Sequence, residues 1–118
     1  MDRKLIGRWG EQAAAEFLRK KRYKITGMNY SCRFGEIDVI AENRRYVVFA
    51  EVKLRRSAAF AAAREFVTAA KQRRVIAAAE HWLAANPTEK QPRFDVIEVY
   101  GENGRIYKIN HIENAFEV

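Results

Sequence analysis

Charged residues inside one apolar stretch, residues 35–56, constrain the fold of this chain more than any other feature. Two runs of β-branched and aromatic residues flank a polar segment at 42–45. This pattern predicts two antiparallel strands joined by a tight turn. Asp38, Glu51 and Lys53 interrupt the apolar runs. Because a buried charge is costly unless it is paired or binds a metal ion, the hairpin must neutralise these three side chains.

The turn determines which side chains share a face of the hairpin. A two-residue turn at 43–44, which pairs residue 42 with residue 45, places Asp38 opposite Phe49 and Glu36 opposite Glu51. Side chains alternate along a strand, so Asp38 and Glu51 then lie on the same face. A loop with an odd number of residues and no bulge would send them to opposite faces. The prediction of a shared site therefore depends on the turn.

Carboxylates crowded on one face repel each other, and either a raised pKa or a bound cation relieves the repulsion. Oxygen ligands without a His or Cys cluster favour Mg²⁺ or Mn²⁺ over Zn²⁺. Lys53, on the same face, could hold a phosphate or orient an attacking water beside that cation. The simpler alternative is an inert ion-pair network within a strand pair.

Length and charge limit the class of protein. At 118 residues, the chain is expected to form a single domain, 1–118, with an ordinary core. The formal net charge is +7, and residues 1–30 carry eight Lys or Arg against three acids. A positive field of this kind suits a polyanionic partner, although it would also serve solubility alone.

Cysteine content and hydropathy indicate the compartment. Cys32 is the only cysteine of the sequence, which excludes an intrachain disulfide and fits a reducing environment. No segment approaches the roughly 18 apolar residues of a membrane span. We therefore expect a cytoplasmic protein without a membrane partner.

Two helices are predicted. The first covers 3–21 and should pack on the sheet through Ile6, Trp9, Ala13 and Phe17, which recur at steps of three and four. Glu11 lies on the neighbouring stripe of that helix.

The second helix begins after Thr68, a favourable N-cap, and ends before the Asn-Pro pair at 86–87. Its apolar stripe is Val75, Ala78, Ala79, Trp82 and Leu83. Lys71, Arg73 and Arg74 occupy its first turns, where cations oppose the helix dipole, and so indicate a bound anion.

The other elements are strands and connections. Strands are predicted at 23–29, 93–100 and, at the sheet edge, 105–110, with a turn at 101–104 and a short helix or a loop at 58–67. The predicted order is α-β-β-β-α-β-β. This order is typical of the α/β class, with a mixed β-sheet flanked by helices.

Two short motifs, Gly35-Glu36-Ile37-Asp38 and Glu51-Val52-Lys53, resemble the active-site hairpin of the PD-(D/E)XK nuclease superfamily. Over nearly its whole length the chain also resembles the YraN-like family of small bacterial proteins. The segments that carry this second resemblance are Gly7, Gly10-Glu11, Asn29-Tyr30, residues 32–38, Phe49, residues 51–53, Arg55, Val67-Thr68, residues 71–74 and residues 93–96.

The resemblance implies a restriction endonuclease-like fold, similar to archaeal Holliday junction resolvases, with a divalent metal at the hairpin. It implies that Asp38 and Glu51 are metal ligands, that Lys53 is the catalytic lysine and that Glu11 completes the site. Glu36 has no settled role by this analogy.

The sequence also departs from the expected pattern at four positions. Ile37 stands where the superfamily has proline, Ser31 where arginine is expected, Leu54 where threonine is usual and Ala61 where glycine is common. The loss of an arginine at 31 weakens the expected phosphate contacts.

Two functions are expected from these observations. The first is a Mg²⁺- or Mn²⁺-dependent endonuclease that hydrolyses phosphodiester bonds in DNA, including branched structures such as Holliday junctions, and acts by analogy as a homodimer. The second keeps the fold and binds nucleic acid without cutting it. In both cases basic side chains would contact the nucleic acid, namely Arg33, Arg55, Lys71, Arg73 and Arg74.

Overall fold

The computed structural model describes residues 3–55 and 67–117, which form a five-stranded mixed sheet with one helix packed on each face. The predicted element order is confirmed. The elements are α1 (Arg3–Lys20), β1 (Lys24–Cys32), β2 (Gly35–Glu42), β3 (Tyr46–Arg55), α2 (Ala69–Ala85), β4 (Gln91–Glu102) and β5 (Arg105–Phe116). Neither helix in these ranges is long and apolar enough to cross a membrane.

The strands lie in sequence order across the sheet, β1-β2-β3-β4-β5. Neighbouring strands are antiparallel except β3 and β4, which are parallel from Tyr46↔Gln91 to Arg55↔Tyr100. A parallel pair needs a crossover connection, and here the connection contains α2. The crossover places α2 on the face of the sheet opposite to α1.

The turn between β2 and β3 lies one residue further along the chain than the predicted 43–44. Glu42 pairs with Val47 rather than with Arg45. The backbone N–H of Asn43 donates to the carbonyl oxygen of Tyr46 at 3.1 Å, so the turn lies at residues 44–45. The side chain of Asn43 explains the displaced turn, because its Oδ1 accepts hydrogen bonds from the backbone N–H groups of Arg45 (2.9 Å) and Tyr46 (2.8 Å). An asparagine that bonds in this way to the following backbone stabilises a turn by itself.

The displaced turn shifts the register of the hairpin by two residues. Phe49 pairs with Ile40 rather than with Asp38, and the paired register ends at Val39↔Ala50, before it reaches Asp38 and Glu51. A shift by an even number leaves every side chain on its predicted face. Over the paired residues, the error in the turn therefore does not change the predicted faces.

Alternating residues of the strands form two cores, one under each helix. The α1 side includes Ala14, Leu18, Val39, Val48, Ala50, Ile97 and Val99. The α2 side includes Ile40, Val47, Phe49, Val75, Ala78, Phe94 and Phe116. Because both faces of the central strands are covered, charges on these strands must be paired or lie at the ends of the sheet.

The sheet-facing stripe of α1 differs from the prediction by about one position. Gly10, Ala14 and Leu18 are buried, while three of the predicted residues are half-buried: Trp9, Ala13 and Phe17. A Cβ atom at Gly10 would lie only 3.8 Å from side chains of β3. The small residues bring the helix axis close to the sheet, which moves the larger side chains to the flanks.

The prediction for α2 is confirmed. The Thr68 hydroxyl accepts a hydrogen bond from the backbone N–H of Lys71 at 3.1 Å, and Val75, Ala78 and Ala79 are buried. Such a cap satisfies a backbone donor that the first turn leaves free. The predicted short helix or loop at 58–67 lies outside the described residues, except for residue 67.

Three strands are longer than predicted. β1 continues to Cys32 rather than to residue 29, and β4 covers 91–102 rather than 93–100. β5 ends six residues after its predicted end, at Phe116, which pairs with Phe94 and stacks on its ring at 5.2 Å between centroids. This buried aromatic pair extends the strand through a polar segment that carries little strand signal of its own.

A buried ion network ties β4 to β5 on the α1 face. The carboxylate of Asp95, which is fully buried, accepts from Arg93 Nε (2.9 Å) and Nη2 (2.8 Å), from His111 Nε2 (2.7 Å) and from the backbone N–H of Asn114 (3.0 Å). Burial acts to raise the pKa of Asp95, but these hydrogen bonds outweigh it and hold the pKa below its ordinary value. Asp95 is therefore an ionised structural residue.

Candidate active site

The candidate site begins where β2 and β3 separate. Their paired register ends at Val39↔Ala50, and beyond it the Oδ2 atom of Asp38 accepts a hydrogen bond from the backbone N–H of Val52 at 2.8 Å. The carboxylate thus satisfies a backbone donor that the β2 ladder leaves open. This contact turns the side chain of Asp38 toward β3, at the position next to Glu51.

Glu51 lies beside Asp38 and is nearly buried, with 6% of its side chain exposed. The ammonium group of Lys71, from the first turns of α2, lies 3.3 Å from Glu51 Oε1. Lys53, two positions further along β3, acts electrostatically on both carboxylates. The structure therefore brings together the three predicted residues of the hairpin and adds a lysine from the helix.

The pKa values of Asp38 and Glu51 are both raised above their ordinary values. Burial is the main cause that raises the pKa of each above its ordinary value, and the charge of Asp38 raises the pKa of Glu51 further. Lys71 and Lys53 act in the opposite direction without cancelling the effect. Such a pair is stabilised by any additional positive charge that enters the site.

Glu11, on α1, lies close enough to Asp38 and Glu51 for their charges to act on it. Its pKa rises to about 7, first because of burial and then because of the charges of Asp38 and Glu51. The amide nitrogen of Asn29, in the orientation that its neighbours require, donates to both oxygens of Glu11, at 2.9 and 2.5 Å. The predicted place of Glu11 near the hairpin acids thus agrees with the structure.

Sequence reasoning assigned Asn29 no role, although Asn29-Tyr30 is one of the segments that carry the family resemblance. Asn29 has φ of +52°, a left-handed conformation that asparagine tolerates better than most residues, and it follows an irregularity of β1 between Ile25 and Gly27. An asparagine inside a predicted strand is the signal that could have indicated it. The left-handed turn aims its amide at α1 instead of along the sheet.

The predicted basic residues fall into two groups. Arg33, Arg73 and Arg74 are exposed on the side of β1, β2 and α2. Arg55 is drawn inward, with its Nε atom 3.5 Å from the buried carboxylate of Glu98 on β4. Lys71 is similarly drawn to Glu51, so two of the five predicted contacts to nucleic acid also neutralise acids of the protein.

Gly35 keeps α2 close to the strand that carries the site. A Cβ atom at this position would lie 2.8 Å from the carbonyl oxygen of Arg74, which is backbone and cannot move alone. The absence of a side chain lets the first half of α2 lie directly against the start of β2. This close packing explains how Lys71 reaches Glu51 from the helix.

The donor set fits a magnesium-like ion held by few protein ligands. Within 3–55 and 67–117, no group of three or more His, Cys, Asp or Glu side chains could hold a metal ion. Mg²⁺ typically uses one or two carboxylates and fills its other positions with water and phosphate oxygens. Asp38 and Glu51, crowded and with raised pKa values, match that requirement.

Comparison with known proteins identifies the family. A family model described as uncharacterised protein family UPF0102 matches residues 10–99, which include every acid and lysine of the candidate site. The chain belongs to this family. Its similarity to UPF0102 proteins extends over nearly the whole sequence.

Among these relatives, a UPF0102 protein of Caldanaerobacter subterraneus is 44% identical over 119 residues, covering 98% of each chain. One of Symbiobacterium thermophilum is 48% identical over 113 residues, covering 94% of this chain and 95% of the relative. One of Chlorobium phaeobacteroides is 46% identical, covering 94% and 93%. These relatives match the chain over nearly its whole length, and the expected membership of a family of small proteins is confirmed.

The raised pKa of Glu11 predicts how stability depends on pH. Folding raises this pKa from 4.5 to about 7, so the folded state binds more protons than the unfolded state between these values. The contribution of Glu11 to stability is therefore fully present below about pH 4.5 and is lost as the pH rises through 7. Replacing it by glutamine removes a carboxylate that is repelled at high pH.

We expect Glu11→Gln to raise the free energy of unfolding at pH 8 by about 1 kcal/mol or less, because solvent screens this half-exposed group. At pH 4.5 the gain should largely disappear. Urea unfolding at both pH values in EDTA measures it, with the exposed Glu16→Gln on the same helix as the control. A gain of equal size at both pH values would contradict the assigned cause.

Proposed function

We propose that this UPF0102 chain is a divalent metal-dependent endonuclease that hydrolyses phosphodiester bonds in DNA. One observation carries the proposal: Asp38 and Glu51 are crowded where β2 and β3 separate, with Lys53 beside them. Burial is the main cause that raises the pKa of each carboxyl, and Lys71 and Lys53 do not cancel it, so the ionised forms would be stabilised by a further cation. A cation and a phosphate are the ligands that suit such a site.

The side chains of Asp38 and Glu51, together with the backbone carbonyl of Val52, would hold Mg²⁺ or Mn²⁺. When bound, such an ion polarises a phosphate oxygen and lowers the pKa of an attacking water. Lys53 then neutralises charge that develops on the phosphate or orients the water. Glu11, which gains and loses a proton near neutral pH, is suited to accept a proton from that water.

The distribution of charge supports nucleic acid as the substrate. The chain has a net charge of +7, and Arg33, Arg73 and Arg74 are exposed on the side of the sheet where α2 approaches β2. Cations at the start of α2 oppose its dipole, a cost that contact with phosphates would offset. Binding through these side chains should weaken steeply with salt.

The architecture supports a place in the PD-(D/E)XK superfamily with a restriction endonuclease-like fold. The five-stranded mixed sheet, with the acids and the lysine on one central hairpin and a further acid on α1, is the arrangement that the sequence resemblance implies. By the same resemblance to archaeal resolvases, branched DNA is the proposed substrate. A homodimer is proposed because a four-way junction needs paired cuts.

One contact favours a second candidate function, binding without cleavage. Lys71 already neutralises Glu51 at 3.3 Å, as it would in a site that holds no metal. In that case the fold would present its arginines to nucleic acid, and the acids and lysines would form a structural ion-pair network. Salt dependence is expected of both functions, whereas metal dependence separates them.

The test is a cleavage assay with labelled four-way, flap, single-stranded and duplex DNA in Mg²⁺, Mn²⁺ or EDTA. The proposal expects nicked products with either metal and none in EDTA. If the protein binds these substrates but forms no product with either metal, the binding function is correct and the nuclease proposal is wrong.

A further inference from the structure

The tip of the β1–β2 hairpin exposes an aromatic side chain next to an arginine. Cys32 pairs with Gly35, so Arg33 and Phe34 form a two-residue turn. Phe34 is 41% exposed although it is a large apolar residue. A short turn between two paired strands fixes the direction of its side chains, and the ring is thus presented to solvent in a defined position.

Contacts on its inner side hold the Phe34 ring in place. The imidazole of His81, on α2, lies 5.7 Å from it between ring centroids, and the Arg33 guanidinium lies 4.8 Å above it. Tyr30 packs on the other side of His81 at 6.5 Å. The ring is therefore contacted by His81 and by Arg33, and the exposed Arg33 side chain must turn aside from the ring face before a base can stack there.

The charges around this ring indicate what it binds. The side chains of Arg33 and Arg74 are both exposed. Arg33 belongs to the turn, and the backbone of Arg74 packs closely against Gly35, the residue that follows Phe34. An aromatic face bordered by arginines matches a nucleotide, whose base stacks on the ring while its phosphate meets the guanidinium groups. An apolar peptide would leave these cations without a partner.

The position of the tip relates it to the candidate active site. Phe34 precedes Asp38 by four residues on an extended strand, a distance of about 13 Å. Successive bases of a DNA strand are about 3.4 Å apart along the helix, so the ring lies within about four base steps of a phosphate at Asp38. Bases inside a continuous duplex already stack on each other, and an unpaired base offers a free face.

We propose that Phe34, supported by His81 and flanked by Arg33, stacks on an unpaired base of the nucleic acid whose backbone lies at Asp38 and Glu51. This inference rests on the proposed function and extends it by assigning the substrate class. The substrate has unpaired bases within a few nucleotides of the cut, as flaps, junction openings and single strands do.

The test uses DNA that carries 2-aminopurine, whose fluorescence is quenched by stacking, in a single strand or a flap, with EDTA present so that nothing is cut. Phe34→Ala should weaken binding of unpaired DNA by about tenfold or more, remove the added quenching and change duplex binding less than about twofold. Phe34→Trp should retain both signals. Tyr107→Ala, a 62% exposed aromatic residue on β5, is the matched control and should change neither.

Phe34→Leu distinguishes stacking from apolar contact, because leucine keeps apolar area without a π face. The stacking assignment expects the leucine variant to behave like the alanine variant. The stacking assignment would be wrong if Phe34→Ala kept the wild-type quenching and affinity. It would also be wrong if Phe34→Leu kept both signals in full, or if Phe34→Ala weakened duplex binding as much as binding of unpaired DNA. Quenching that depends on Phe34 in a protein that cuts no DNA would instead reject the nuclease proposal and keep the stacking surface.

Discussion

Glu51→Gln should reduce metal-dependent cleavage by about a hundredfold or more, because it removes a ligand of the metal that stabilises the transition state. Lys53→Ala should have an effect of the same order. The measurement is the initial rate of nicking at saturating substrate. Glu80→Gln and Lys20→Ala, both exposed and outside the site, should cut at the wild-type rate.

Stability separates this loss from simple unfolding. The pKa of Glu51 is raised above its ordinary value, mainly by burial, so its ionised form is unfavourable in the folded protein. An uncharged glutamine should leave the chain at least as stable at pH 8 as the wild type. Unchanged cleavage in Glu51→Gln, once contaminating nucleases are excluded, would remove the catalytic assignment.

Asp95→Ala should destabilise the fold by about 3–5 kcal/mol, the largest stability effect that we expect. The substitution leaves Arg93 buried without its bidentate partner and His111 without its acceptor. Urea unfolding at pH 7 measures the loss. Because the pKa of Asp95 is lowered on folding, its contribution is present above the unfolded value of 3.8 and is lost as the pH falls below about 4.

Glu113→Ala is the matched control, since Glu113 pairs with the same arginine from a 54% exposed position at 3.9 Å. An exposed pair contributes at most about 1 kcal/mol. If Asp95→Ala and Glu113→Ala lower the free energy of unfolding by the same small amount, burial of the network does not determine its contribution to stability.

The sequence predicted the faces of the hairpin better than its turn. The register was wrong by two residues because nothing local shows that Asn43 will accept two backbone hydrogen bonds and move the turn to 44–45. An even shift keeps the side-chain faces of the paired residues, and Asp38 lies near Glu51 because it accepts a hydrogen bond from the backbone N–H of Val52.

Contacts between distant elements could not be predicted from local pattern. The pairing of Arg55 with Glu98 depends on the parallel register of β3 and β4, and the contact of Asn29 with Glu11 depends on how α1 crosses β1. The periodicity of α1 likewise placed its buried stripe about one residue away, because small residues at Gly10 and Ala14 let the helix approach the sheet. Each of these features is set by packing.

Titration with Mn²⁺ or Mg²⁺, followed by calorimetry in the absence of DNA, tests most directly whether Asp38 and Glu51 hold a cation. We predict one ion bound per chain, binding lost in both Asp38→Asn and Glu51→Gln, and binding retained in Glu80→Gln. Affinity that is the same in Asp38→Asn as in the wild type, or no binding by the folded wild-type protein, would contradict the account.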